Sequence, residues 1–120
     1  MGSDNRWNLP LLAEVCSEPV GLAWGRIERS NPERADLYQM WVHPENRCLG
    51  AGKLLLDAVV AWAMQTGARY LALGATCGDT PANRLYARAT FKPIGEPQPL
   101  RSGSLVLGQE MHLQLRESAG

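Results

Sequence analysis

The chain has 120 residues, enough for one domain with one modest core and too few for two. Twelve basic and twelve acidic residues cancel, which leaves no basic field to hold a nucleic acid backbone. Three widely spaced cysteines, Cys16, Cys48 and Cys77, form no C-x-x-C pair, so a disulfide framework and a zinc site are set aside and a reducing, cytoplasmic setting is expected. No apolar run reaches the roughly 18 residues of a membrane span, and residues 1–7 are too polar for a secretory signal.

Residues 9–15 alternate weakly and predict a first strand after a short N-terminal tail, residues 1–8. Ser17-Glu18-Pro19 predicts a turn, and residues 20–27 a second strand with Val20, Leu22 and Trp24 on one face. Residues 29–34, with Asn31-Pro32, read as a polar hairpin loop before a third strand over 37–43. Short turns between these strands imply an antiparallel meander. The longest helical pattern covers 51–66. Leu55, Val59 and Trp62 lie on one face, while Leu54, Leu56, Val60 and Met64 widen the apolar surface, and Gly67 suits a C-terminal cap. A strand over 69–75 follows, so the helix is a crossover and its flanking strands should run parallel. Thr80-Pro81 opens a second helix reaching about residue 89, with Ala82, Leu85, Tyr86 and Ala89 inward. Residues 91–94 predict a strand, 95–108 a long connection, and 110–116 a closing strand with Met111, Leu113 and Leu115 inward, ahead of a tail over 117–120.

The chemistry concentrates between Tyr38 and Asp57, where a strand, a glycine-bearing loop and a helix meet. Such a junction aims backbone N–H groups and the positive end of a helix dipole at one point, which makes an anion site suited to a diphosphate. Two familiar glycine loops fail here. A phosphate-binding P-loop requires Gly at the position of Arg47 and Ser or Thr at that of Leu54. A dinucleotide fingerprint begun at Gly50 requires a small residue at that of Leu55.

What remains, Arg47-Cys48-Leu49-Gly50-Ala51-Gly52 after Val42-His43-Pro44, closely resembles the R/Q-x-x-G-x-G/A loop of the GCN5-related N-acetyltransferases, the GNAT family. A second segment, Asp79 to Phe91, resembles that family's N-x-x-A-x-x-L-Y-x-x-x-G-F motif, with Ala82, Leu85, Tyr86 and Phe91 in register. The resemblance covers residues 9–115. It implies an α/β fold with a mixed sheet, an antiparallel meander and one β-α-β crossover. It also implies a domain over 9–116 that lacks the family's first strand and first two helices. Three departures stand out: Asp79 where the family has asparagine, Thr90 where it has glycine, and Cys48 where glycine is common.

Carried over residue by residue, the resemblance makes acetyl-CoA the co-substrate. The backbone of Met40, Trp41 and Val42 would pair with the pantetheine arm. Arg47, Cys48, Leu49, Gly50, Ala51 and Gly52 would hold the pyrophosphate, and Asp79 would lie at the cofactor. Tyr86 would be the general acid that protonates the leaving thiolate. Glu14, Glu28 and His43 are candidates for the base by location only, and His112 is assigned a structural role. The expected activity is direct acetyl transfer to a small-molecule or protein amine, with the acceptor side completed by a dimer partner as one form of it. The alternative is a non-catalytic acyl-CoA-binding or protein-interaction module derived from such an enzyme. Neither nucleic acid nor membrane is expected as a partner.

Overall fold

The computed structural model describes residues 7–44, 50–99 and 102–115. Six strands and two helices follow in the order β1 (Asn8–Val15), β2 (Glu18–Ile27), β3 (Arg34–Val42), α1 (Ala51–Thr66), β4 (Tyr70–Thr76), α2 (Pro81–Arg88), β5 (Lys92–Pro99) and β6 (Leu107–Gln114). They form one sheet in the order β1-β2-β3-β4-β6-β5. β1 to β3 make the expected antiparallel meander. α1 carries the chain across to β4, which pairs with β3 in parallel.

Helix α1 has the expected bounds because glycine stands at each end. Gly67 takes a left-handed φ of 91°, and the N–H groups of Gly67 and Ala68 bond back to the carbonyls of Met64 and Ala63. That is the double closure a helix makes when its C′ residue is glycine. Leu55, Leu56, Val59, Trp62 and Ala63 bury against the sheet, whereas Leu54 and Met64, also apolar, stay exposed.

The inward face of β2 differs from the expected one. Val20 is buried, but Leu22 is exposed and Trp24 half-buried; Gly21, Ala23, Gly25 and Ile27 face the helix instead. The reason is the close approach of α1. A Cβ on Gly25 would stand 2.6 Å from Trp62 Cζ3, and one on Gly21 would stand 3.2 Å from Leu55 Cδ1. Small residues therefore occupy the stretch where α1 comes closest, and Leu22 and Trp24 turn to the opposite face while Val20 and Ile27 stay buried.

Other boundaries shift for local reasons. The first turn lies at Cys16–Ser17, both with positive φ, as a two-residue hairpin between paired Val15 and Glu18 requires. β3 begins at Arg34, which the sequence placed in the loop, because Arg34 pairs with Tyr70. Ala82 is exposed, not inward. The segment over 95–108 is partly strand: β5 runs on through an irregularity between Ile94 and Gln98, and β6 starts at Leu107. Met111, Leu113 and Leu115 do pack against the core.

Candidate functional site

β3 and β4 pair through only three residue pairs, Arg34–Tyr70, Ala35–Leu71 and Asp36–Ala72. Beyond them the strands diverge: β3 continues to Val42 against β2, and β4 to Thr76 against β6. A register irregularity between Trp24 and Gly25 sits at the point of divergence, where Tyr38 is the extra residue of β3. Such a bulge bends its strand and raises local twist, which carries β3 away from β4.

The divergence leaves a cleft of about 390 Å³. Its walls come from Leu22 on β2, Leu37 to Trp41 on β3, Leu73 and Gly74 on β4, and Tyr86 on α2. Met40 and Trp41 are thus brought together with Tyr86, which lies far from them in sequence. Leu22 was read from the sequence only as a strand-face residue, and Leu73 and Gly74 were not singled out, because apolar and glycine positions within strands carry no chemical signal of their own.

Val42 does not line the cleft. It is buried at the end of β3, where its Cγ2 would lie 3.5 Å from a Cβ built on Gly52. Gly50, Ala51 and Gly52 form the start of α1. Gly50 is left-handed, with φ 81°, and among the described residues no side chain caps the helix there. The first-turn N–H groups at this end of the helix are the donors a bound anion would use. A Cβ on Gly52 would also meet Leu85 Cδ2 at 3.4 Å, so this glycine lets α1, β3 and α2 converge. Arg47, Cys48 and Leu49 lie outside the described residues.

Tyr86 is buried on α2, its ring 5.7 Å from that of Phe91. Burial raises its pKa, which keeps the phenol protonated well beyond neutral pH. The α2 C-terminus holds that ring in place. Thr90 takes φ 70° at C′, Thr90 N–H donates to the Ala87 carbonyl, and Phe91 N–H donates to that of Tyr86. This is the six-to-one and five-to-two closure, with Tyr86 and Phe91 as its hydrophobic pair. Threonine adopts here the conformation for which glycine is preferred, and the turn keeps its shape.

At the N-terminus of α2, Thr80 Oγ1 accepts from Asn83 N–H at 3.0 Å. The Asn83 amide donates to the carbonyls of Thr76 and Gly78 at 2.7 and 2.6 Å, fixing the loop that contains Asp79. Asp79 is exposed and accepts from Arg84 Nε at 2.8 Å, which lowers its pKa and offsets its charge. Among the sequence-derived bases, Glu28 pairs with Arg26 at 3.0 Å, Glu14 is exposed, and the ring of His43 packs edge-on against Trp41. None of the three lines the cleft.

A family model described as the acetyltransferase (GNAT) family matches residues 3–91. The chain belongs to that family. Solved structures agree on the fold of this GNAT chain. It is similar to nourseothricin acetyltransferase at 24% identity and a TM-score of 0.73, covering 83% of this chain and 60% of that one. An acetyltransferase from Salmonella typhimurium, solved with its cofactor acetyl-CoA, matches at 22% identity and a TM-score of 0.76, over 91% of this chain and 65% of that one. An aminoglycoside 6'-N-acetyltransferase complexed with coenzyme A matches at 14% identity and a TM-score of 0.80, over 94% and 76%. The GNAT chain therefore spans about 60 to 65% of the first two proteins. No curated protein matches its sequence.

Proposed function

We propose that this GNAT domain binds acetyl-CoA and transfers the acetyl group directly to an amine. The observation that carries the reading is the length of β3 beyond Asp36 that β4 leaves unpaired, which ends beside the N-terminus of α1. An extended pantetheine arm fits along such a strand as backbone partner, and the diphosphate fits the helix end. Arg47 would add a charged donor to the diphosphate, alongside Cys48, Leu49, Gly50, Ala51 and Gly52.

The reaction needs no covalent enzyme intermediate. The amine nitrogen attacks the acetyl carbonyl, a C–N bond forms, and the C–S bond breaks. The excess amine proton leaves to water, and the departing thiolate takes a proton from Tyr86, whose phenol is later reprotonated. A backbone N–H of β3 facing the cleft supports the oxyanion in between.

Asp79, Thr90 and the missing acceptor-side elements are the sequence features that favour a non-catalytic module, and for the first two the geometry supports a working site. Thr90 maintains the α2 turn, and Arg84 neutralises Asp79. Calorimetric titration with acetyl-CoA and with free coenzyme A tests the reading, with the mass of the protein recorded in the same buffer to reveal a dimer. Micromolar binding, lost in Arg47→Ala without loss of fold, is the expected result. An absence of binding at millimolar ligand would return the chain to the interaction-module reading.

A further inference from the structure

Two walls of the cleft meet at a corner of the chain: Leu73 and Gly74 stand on β4, and Tyr86 stands on α2. Between Thr76, the last residue of β4, and Pro81, the first of α2, the chain turns from strand to helix. Asn83, in the first turn of α2, spans that corner with one carboxamide. Its Nδ2 donates to the Thr76 carbonyl at 2.7 Å and to the Gly78 carbonyl at 2.6 Å. Its backbone N–H is held too, by Thr80 Oγ1 at 3.0 Å. Both amide hydrogens are thus spent on backbone, and Asn83 does not line the cleft.

A carboxamide suits this task because it carries two donors on one atom, whereas a hydroxyl has one and an ionised carboxylate none. Asp79, in the same corner, only accepts, and its exposed carboxylate is taken by Arg84 Nε at 2.8 Å. Helix α2 has eight residues, too few to hold a helix alone, so its orientation depends on how its ends are fastened. The closure at Thr90 and Phe91 fastens one end; Asn83 fastens the other to β4. Leu73 lies three residues before Thr76, about 10 Å along the strand, and Tyr86 lies three residues after Asn83, about 4.5 Å along the helix. The amide therefore sits at the vertex of the angle that sets how far the Tyr86 hydroxyl stands from β4. A displacement of about 1 Å at a reacting group can cost about a hundredfold in rate.

We propose that Asn83 is a positioning residue for the transfer step: its amide, bridging the end of β4 and the start of α2, holds the Tyr86 hydroxyl where the coenzyme A thiolate departs. The inference rests on the reading of Tyr86 as proton donor above and adds the group that aims it. The proton still passes from the Tyr86 oxygen to the sulfur, and Asn83 neither gains nor loses one. A Tyr86 set off its line slows that transfer. The hold on the diphosphate is left intact, because it belongs to the start of α1.

Asn83→Ala removes both donors while placing a strong helix former in α2, so the helix itself is kept. Turnover is followed by release of the coenzyme A thiol, with the fastest acceptor from a panel of spermidine, phenethylamine and a peptide with a free N-terminus. The expected kcat falls by at least about tenfold, with the calorimetric Kd for acetyl-CoA within about twofold of the parent. Asn83→Asp keeps the shape without the donors and should match it at saturating acetyl-CoA. In a Tyr86→Phe background, Asn83→Ala should cost less than about twofold, because the proton it aims is gone. Nitration by tetranitromethane, mapped by peptide mass, reports the same loosening without turnover. It should rise at buried Tyr86 by at least about fivefold in Asn83→Ala, with exposed Tyr38 as internal standard. An unchanged kcat, full kcat in Asn83→Asp, or an equal loss with and without the Tyr86 hydroxyl overturns the proposal. Tyr86→Phe at full kcat removes the proton-donor reading and the proposal with it. If acetyl-CoA does not bind, or no amine of the panel turns over, the cofactor or transfer reading falls first; unchanged nitration of Tyr86 then overturns the positioning role by itself.

Discussion

Gly25→Ala tests the packing that turns the large side chains of β2 away from the core. The new methyl would sit 2.6 Å from Trp62 Cζ3 and 3.0 Å from Cε3. Carbon atoms pack best about 3.5 to 4.0 Å apart, so the indole must retreat by about 1 Å. Trp62 is buried in the main core, and overpacking of this kind costs about 1–3 kcal/mol. Alanine also restricts the unfolded chain, which returns about 0.4–1 kcal/mol. The net expectation is a loss of about 1–2 kcal/mol, or roughly 3–12 °C in Tm for a chain of this size. Urea unfolding followed by tryptophan fluorescence and far-UV circular dichroism measures it. In a Trp62→Phe background the smaller ring leaves room, and the same change should cost less than about 0.5 kcal/mol. A Gly25→Ala protein as stable as the parent, or one equally destabilised in both backgrounds, would refute the close-approach argument.

Gly74→Val should leave stability within about 0.5 kcal/mol, since open space surrounds the position. Turnover should nonetheless fall, because the side chain enters the cleft; unchanged rates would mean that acceptors do not pass Gly74. Thr90→Gly removes a left-handed strain of about 1–2 kcal/mol and adds back about 0.5–1 kcal/mol of chain entropy. A gain of about 0.5–1 kcal/mol in denaturant unfolding is therefore expected, and a loss would contradict the cap geometry at α2. Tyr86→Phe keeps the ring contact with Phe91 and removes the proton. It should lower kcat by about a hundredfold with little effect on acetyl-CoA affinity. Because burial raises the wild-type phenol pKa, any alkaline decline in rate that it causes should begin above the ordinary tyrosine range and vanish in the variant. Equal losses in kcat and affinity would make Tyr86 a packing residue.

Much of this was legible locally. Gly67 and the Thr80-Pro81 pair mark helix ends by backbone chemistry that needs no tertiary context, and both were read correctly. The strand-loop-helix junction and the Ala82, Leu85, Tyr86, Phe91 register pointed to the family that the match over 3–91 shows. What escaped depended on distant neighbours. The inward face of β2 was misread because a closely packed helix reverses the usual rule that large apolar residues turn inward. The Arg34–Glu110 contact joins residues 76 positions apart, and only the insertion of β6 between β4 and β5 brings them together. His112, read as structural from its alternation, lies 2.6 Å from Glu110 two residues before it on the same strand.

The short ladder between β3 and β4 has a consequence for handling the protein. Its outermost strand β5 carries Pro93, Pro97 and Pro99, which deny a ladder to a strand approaching from outside. The diverging lengths of β3 and β4 have no such protection. They form an edge inside the sheet, with backbone donors and acceptors ready for any extended chain. A ligand that occupies the gap would hide that edge, and the empty protein would offer it to other polypeptides. Coenzyme A in the buffer should therefore act as a solubiliser of this domain, slowing strand-mediated aggregation on storage.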